Sequence, residues 1–191
     1  DEKGRLNVIY ASSGPTKYYY ADSVVTEVTH FINGTITGIN IYKLRPNGLV
    51  YMRQNGFQTT NTYSTFEYSA SRGLLLQVDT FMLGVSSMRH IYYRTGNRID
   101  SIKRIYQNVR NTHIFEYHTD RINTVTNESA GKSFLGISNA NPIKRESVRN
   151  AYGTLTIVGD YTYEYDAQNR ITKRIMTRTG FPTEEITYSY Y

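Results

Sequence analysis

The chain has 191 residues, with 19 tyrosines and 7 phenylalanines but no tryptophan and no cysteine. The absence of cysteine excludes a disulfide scaffold, a thiolate metal site and cysteine catalysis. The net charge of +6 is compatible with an anionic partner, but several arginines recur at one position of a repeat. We therefore interpret the charge as distributed along the chain and predict no nucleic-acid partner.

No segment that could carry the chain through a membrane as a helix is visible. No apolar run approaches the roughly 18 residues that a membrane helix needs, and no signal peptide is visible in the given sequence. The sequence begins inside a repeat, at Asp1–Leu6, so we expect an upstream segment with a leader or a lipid anchor. Such an N-terminal anchor, rather than a spanning segment, is the predicted route to a membrane.

One phrase recurs along the chain: an alternating aromatic segment, a polar turn, and then Arg-Ile or Gly-Leu. From Leu6 to Ile171 the apolar residue after the turn advances 165 positions in seven steps, about 24 residues each. Each period is long enough for two strands of roughly 9 or 10 residues with short turns, so it predicts one β-hairpin. The clearest copies are Phe66–Leu74, Tyr93–Ile99, Phe115–Ile122 and Tyr163–Ile171.

Turn residues in the first half of the chain support hairpins. Asn-Gly dipeptides accept the positive φ of hairpin turns, and they occur at Asn33–Gly34, Asn47–Gly48 and Asn55–Gly56. After several turns two apolar residues are three apart, as at Ile36 and Ile39, Ile99–Ile102 and Ile122–Val125. A β-bulge just past the turn would place both on one face of the sheet.

The stretch 127–153 is the least regular and is rich in Ser, Asn and Gly. The likeness of Asn141–Lys144 to Asn169–Thr172 favours a further hairpin. The alternative is a short helix that begins at Asn141–Pro142, runs to about Tyr152 and ends at Gly153. If the chain has an extended functional loop, we expect it in this stretch.

Successive hairpins predict an all-β fold in which residues 1–191 form one repeat-built domain. Short turns force neighbours to pair, which gives an antiparallel up-and-down meander of about 14–16 strands. We expect a large closed or partly closed β-barrel, or a curved sheet, and closure would remove exposed edges. A membrane-embedded barrel is less favoured because Lys173 shares strand parity with Ile171 and Ile175, where a lipid-facing surface should be apolar.

The phrase Tyr163–Ile171, read as Y-x-Y-D-x-x-x-R-I, resembles the YD or RHS-type repeat of bacterial surface proteins. The whole chain is similar to a family of Bacteroidetes envelope lipoproteins of unknown function with a porin-like β fold. The resemblance implies an outer-membrane lipoprotein, periplasmic or surface-exposed, and supplies no catalytic residues. The chain departs from a strict YD pattern because Tyr-Asp occurs only at Tyr165–Asp166.

Two short motifs resemble enzyme sites only in part. Ala130–Ser133 has the end of a phosphate-binding loop, but Thr126 stands where that motif needs glycine. Gly136–Ala140 resembles a nucleophile elbow without the strand-turn-helix context.

The four histidines, His30, His90, His113 and His118, lack the spacing of a metal site. We predict no metal and no cofactor.

Glu164 and Asp166 lie two residues apart, roughly 6–7 Å along a strand, a separation compatible with a hydrolytic carboxylate pair. Glutamate also precedes tyrosine at Glu67 and Glu116, so we interpret Glu164 as a repeat residue on the solvent face. No catalytic residue is predicted.

Tyrosine gives the functional hypothesis. Exposed tyrosine rings stack on sugars and keep a hydroxyl for hydrogen bonding, although cross-strand tyrosine pairs also stabilise a sheet without any ligand. The chain is therefore predicted to be a non-enzymatic envelope protein, a binding or structural module with a glycan or another envelope component as partner. The alternatives are a carrier of a lipid-like ligand inside a barrel and, less favoured, a carboxylate-dependent hydrolase. The candidate ligand-binding residues are Tyr18, Tyr20, Tyr161, Tyr163 and Tyr165.

Overall fold

The chain forms a β-sheet whose strands follow one another in sequence order. In the computed structural model this is a 14-stranded sheet in which each strand neighbours the strands before and after it. Every pairing of defined register is antiparallel, which confirms the predicted all-β meander. Within the described residues the order is an open run in which β1 and β14 each have one neighbour. The structure describes residues 8–11, 14–31, 33–56, 62–70, 73–107, 109–127, 132–136 and 138–188.

The chain divides into two compact units, residues 1–89 with 130–137 (unit 1) and residues 90–129 with 138–191 (unit 2). The boundary falls inside β8, Val85–Thr95, and the prediction of one domain stays a prediction. Unit 1 contains β1 Val8–Ala11, β2 Gly14–Tyr20, β3 Val24–His30, β4 Ile36–Leu44, β5 Val50–Asn55, β6 Thr62–Tyr68, β7 Leu75–Met82 and a short 3-10 helix, Ser133–Leu135.

Unit 2 contains the remaining strands. They are β9 Arg98–Tyr106, β10 Val109–Tyr117, β11 Ile143–Arg149, β12 Leu155–Tyr165, β13 Ile171–Arg178 and β14 Glu184–Thr187. No helix in the described residues has the length and apolar character to cross a membrane.

The core of unit 1 lies on one face of its strands. Alternation places the side chains of Tyr18, Val25 and Tyr42 on that face, since Val25 pairs with Tyr42 and Tyr18 lies two residues from the partner of Val25. Val50 joins them from β5 and is fully buried. Phe134 covers this cluster from the 3-10 helix, with its ring centroid 5.2 Å from that of Tyr42.

Four hairpin turns share one backbone pattern, which we call the five-residue turn. The N–H of its first residue donates to the carbonyl of its fifth, and the N–H of its fourth donates to the carbonyl of its first. The fourth residue has a positive φ, which glycine and asparagine adopt at low cost. The turns begin at Phe31, Arg45, Asn150 and Asp166, and their fourth residues are Gly34, Gly48, Gly153 and Asn169.

A register shift accompanies each five-residue turn. After the first turn Ile36 pairs with His30 and Ile39 pairs with Val28, so both isoleucines lie on one face and the predicted bulge is confirmed there. The same prediction is wrong for Ile122–Val125, which lies in a loop and not in a strand. For Ile99–Ile102 it stays a prediction.

The stretch 127–153 contains the first strand and most of the turn of a hairpin, in agreement with the hairpin interpretation. Residues Ile143–Arg149 form β11, which pairs antiparallel with β12, so the alternative helix from Asn141–Pro142 is wrong. The long connection is the one before it, residues 118–142 between β10 and β11, which we call the β10–β11 loop. Its residues 138–142 belong to unit 2 and its residues 132–136 to unit 1.

Candidate functional site

A cavity of about 120 Å³ lies in unit 2 and is the candidate site. We call the face of unit 2 that carries the buried side chains of Val148, Tyr161 and Met176 its inner face. The cavity is bounded on one side by the β10–β11 loop and on the other by β12, β13 and the residue after β14. The principal lining side chains are Asn123, Asn139, Asn141, Tyr163, Arg174 and Tyr188.

The loop wall of the cavity is fixed by asparagine side chains. The Nδ2 of Asn123 donates to the carbonyl of Asn139 at 3.1 Å, and the Nδ2 of Asn141 donates to the carbonyl of Arg121 at 2.7 Å. The Oδ1 of Asn139 accepts the backbone N–H of Ile99 at 2.8 Å. These bonds satisfy backbone groups that a loop would otherwise leave unpaired, so the amides hold the wall in place.

The loop is also tied directly to the strands. The hydroxyl of Thr124 accepts the backbone N–H of Ile171, the first residue of β13, at 2.8 Å. The ring of His118 in the loop meets the ring of Tyr163 edge-on at 5.9 Å. The hydroxyl of Tyr163 in turn donates to the carbonyl of Ile143, the first residue of β11, at 2.9 Å. Burial raises the pKa of Tyr163, so this phenol stays neutral and acts as a donor.

Arg174 brings a positive charge to the cavity. It lies opposite Tyr163 on β12 and opposite Ile186 on β14. Its Cζ is 5.9 Å from the ring centroid of Tyr161, a cation–π distance. In the part of the chain that the structure describes, no carboxylate lies within ion-pair distance of this guanidinium.

Beside the cavity lies a buried polar cluster built around Glu146. Oε1 of Glu146 lies 2.6 Å from Nδ1 of His113, and Oε2 accepts the Tyr161 hydroxyl at 3.2 Å and Nη2 of Arg178 at 3.4 Å. The hydrogen bond from His113, together with Tyr161 and Arg178, holds the pKa of Glu146 below its ordinary value against the effect of burial. The carboxylate is fully occupied, so it serves to position its neighbours.

Gly159 leaves room for this cluster. Glu146 pairs with Gly159 on β12, and Gly159 pairs with Arg178 on β13. A Cβ at Gly159 would lie 3.3 Å from the Cγ of Arg178. Because Gly159 has no side chain, the side chain of Arg178 can cross β12 and reach Glu146.

The structure distributes the predicted tyrosines over both units. Tyr18 is buried and Tyr20 packs beside it in the core of unit 1. The other three share the inner face of unit 2, as their alternation predicted. Tyr161 is buried against Glu146, Tyr163 lines the cavity, and Tyr165 lies beneath Arg121, whose Cζ is 5.0 Å from the ring centroid.

The side chains of Glu164, Asp166 and Ser138, which belong to the other motifs of the sequence, have partners within the chain. Glu164 is exposed and lies 3.9 Å from the Nζ of Lys173, which places it on the solvent face as expected. Asp166 belongs to its turn, where its Oδ1 accepts the N–H groups of Gln168 and Arg170 at 2.9 and 2.8 Å. The Oγ of Ser138 accepts the N–H of Asn127 at 2.6 Å.

Lys132, from the glycine-lysine-serine motif, lies in unit 1. Its Nζ is 4.9 Å from the ring centroid of Tyr18, and burial lowers its pKa. Residues 130–131 of that motif lie outside the described residues. The described residues contain no group of three or more histidines and carboxylates that could hold a metal ion.

Sequence reasoning missed Arg174 and the loop asparagines. The basic residues of β13 divide between the two faces of the strand. Lys173 faces outward, 2.7 Å from Glu185, whereas Arg174 and Arg178 lie on the inner face with Met176. The alternation of Arg174 with the apolar Met176 is the signal that could have identified it.

Comparison with known proteins shows the fold. A porin-like protein from Bacteroides uniformis aligns with a TM-score of 0.69 at 14% identity, covering 99% of this chain and 87% of the other. A porin-like protein from Bacteroides vulgatus aligns with a TM-score of 0.65 at 10% identity, covering 97% of this chain and 94% of the other. No protein-family model matches the chain, and no curated protein matches it significantly. The chain thus has the all-β fold of these porin-like structures, as the family resemblance implied, while the YD-repeat and lipoprotein assignments stay predictions.

Proposed function

We propose that this chain is a non-enzymatic protein of the bacterial envelope that binds a glycan-type ligand in the unit 2 cavity. The observation that carries the proposal is the composition of the cavity wall. Two tyrosines, Tyr163 and Tyr188, and the guanidinium of Arg174 surround a space whose opposite wall is held rigid by asparagines. Aromatic rings beside a few fixed polar groups are typical of sites that orient a small polar ligand.

The volume of the cavity limits the size of the ligand group that it can hold. At about 120 Å³ it is smaller than the roughly 300–1,000 Å³ of sites that enclose a drug-sized molecule. We therefore propose that it receives one sugar ring or one substituent of a larger glycan. The carrier alternative requires a larger enclosed apolar space for a lipid-like ligand.

An envelope location is part of the proposal. It is supported by the porin-like description of the structural neighbours from Bacteroides and by the repeat phrase that resembles bacterial surface proteins. Within this proposal a lipid anchor holds the protein at the membrane, and the partner is an envelope glycan.

The test is a glycan screen by thermal shift, because a ligand at a hundred times its dissociation constant stabilises the fold by about 2.7 kcal/mol. Val125 lines the cavity, and Val125→Phe would fill it. Thr162→Phe places the same ring on the solvent face of β12, where Thr162 is exposed, and is the matched control. We expect the wild type and Thr162→Phe to respond to the same glycans and Val125→Phe not to respond. No response from the wild type, or an equal response from Val125→Phe, would contradict the proposal.

A further inference from the structure

We infer that the ligand group in the unit 2 cavity carries a carboxylate held by Arg174, so that the glycan is an acidic sugar of the hexuronic acid type. This inference rests on the proposed function and names the class of ligand for the same site. Two observations support it: the positive charge of Arg174 has no counter-ion within the described residues, and most of the hydrogen-bond donors around the cavity belong to this guanidinium.

The charge of Arg174 is not neutralised within the described residues. The carboxylate on the same face, Glu146, is occupied by His113, Tyr161 and Arg178. The carboxylates of Glu164 and Glu185 lie on the opposite face of the strands and pair with Lys173. A partly buried cation without a counter-ion is unfavourable, so an anionic ligand would relieve this cost.

The donors that the cavity offers also favour an anion. The Nδ2 groups of Asn123 and Asn141 already donate to loop carbonyls, and the Nδ2 of Asn139 donates to the hydroxyl of Tyr117 at 3.1 Å. The Tyr163 hydroxyl donates to Ile143. These bonds use one of the two N–H groups of each amide, whereas the guanidinium of Arg174 carries five N–H donors in a planar fork that matches a carboxylate.

Arg174 is positioned before any ligand arrives. Its guanidinium lies over the ring of Tyr161 at 5.9 Å, and that ring is held by the hydrogen bond from its hydroxyl to Glu146 at 3.2 Å. A cation held above an aromatic ring keeps its N–H groups free to donate at its edge. The buried polar cluster therefore reduces the entropy that Arg174 would lose on binding.

The experiment compares glucuronate with glucose, which lacks the carboxylate, by isothermal titration calorimetry. Against the wild type we expect glucuronate to bind at least about tenfold more tightly than glucose, since a charged hydrogen-bonded pair is stronger than a neutral one. Arg174→Gln should bind both sugars equally. Lys173→Gln removes the same charge from the opposite face of the same strand and should keep the preference for glucuronate.

Other outcomes separate the two proposals. Equal binding of glucuronate and glucose by the wild type would overturn the carboxylate inference and leave the glycan site standing. Failure of both sugars and of the wider screen would overturn the proposed function itself. Binding of N-acetylalanine in place of glucuronate would assign the carboxylate to a peptide and overturn the acidic sugar. Arg174→Lys keeps the charge without the fork, so it should show a weakened preference for glucuronate, and an unchanged preference would contradict the role of the fork.

Discussion

His113 and Glu146 lie one diagonal step apart on β10 and β11, and their side chains meet at 2.6 Å in the interior of unit 2. His113 pairs with Val148, and alternation turns Glu146, two residues earlier, to the same face. Both side chains are buried. A buried carboxylate of this kind persists only when its neighbours supply hydrogen bonds and opposite charge.

The first prediction concerns removal of this carboxylate. Glu146→Ala leaves the Tyr161 hydroxyl, Arg178 and His113 without their acceptor, so we expect the free energy of unfolding to fall by about 3 kcal/mol or more. Urea denaturation with an unchanged m-value measures it. Glu164→Ala is the matched control, because its exposed ion pair with Lys173 should contribute less than about 1 kcal/mol. Equal losses in the two variants would show that the cluster is not a source of stability.

The second prediction concerns pH. The pKa of Glu146 is lower in the folded chain than its ordinary value of 4.5, so folding favours the ionised carboxylate. Its contribution is fully present above pH 4.5 and is lost as the pH falls through the lower folded-state pKa. The difference in unfolding free energy between the wild type and Glu146→Gln should therefore shrink from pH 6 towards pH 3. Urea denaturation at each pH measures this difference, and a difference that grows on acidification would refute the sign.

The third prediction concerns the five-residue turn. Asn169 has a φ of +59°, a conformation that costs most residues roughly 1–2 kcal/mol but that asparagine and glycine adopt readily. We expect Asn169→Ala to lower the free energy of unfolding by about 1 kcal/mol and Asn169→Gly to leave it nearly unchanged. Thermal unfolding of the three proteins side by side is the measurement. An alanine variant as stable as the glycine variant would mean that the turn does not impose this φ.

The fourth prediction concerns the β10–β11 loop. Phe134 is 5% exposed and packs on Tyr42, so Phe134→Ala should cost about 3–5 kcal/mol. Phe181 is 56% exposed, and Phe181→Ala should change stability by no more than about 0.5 kcal/mol. Chemical denaturation compares the two. Amide hydrogen exchange should also show lost protection around Tyr42 in the first variant alone.

The strands and turns were predictable because their causes are local. Alternation placed Tyr161, Tyr163 and Tyr165 on one face, and Asn-Gly dipeptides marked two of the five-residue turns. Asp166, in the phrase that resembles a YD repeat, accepts two turn N–H groups and the Nε of Arg170 at 2.7 Å. The spacing of Tyr-Asp-x-x-x-Arg thus follows from the chemistry of one turn.

Of the residues that line the candidate site, only Tyr163 was identified from the sequence. Strict alternation from Ile171 would place Arg174 on the solvent face of its basic strand. A bulge after the turn at Asp166 shifts the register between Glu164 and Tyr165 and turns Arg174 inward. Glu146 lies in the polar run Lys-Arg-Glu-Ser, which is typical of an exposed strand, and its burial depends on partners 32 and 33 residues away. Such long-range contacts leave no local pattern in a single sequence.

The unbroken neighbour order of the strands has an evolutionary consequence. Because each strand among the described residues pairs only with the strands that flank it in sequence, duplicating or deleting one hairpin changes partners only at its two borders. Tandem gene events could therefore lengthen or shorten the molecule in whole hairpins while most of its ladders survive. Descendants of one ancestor could then differ in strand number and still superimpose along most of their length.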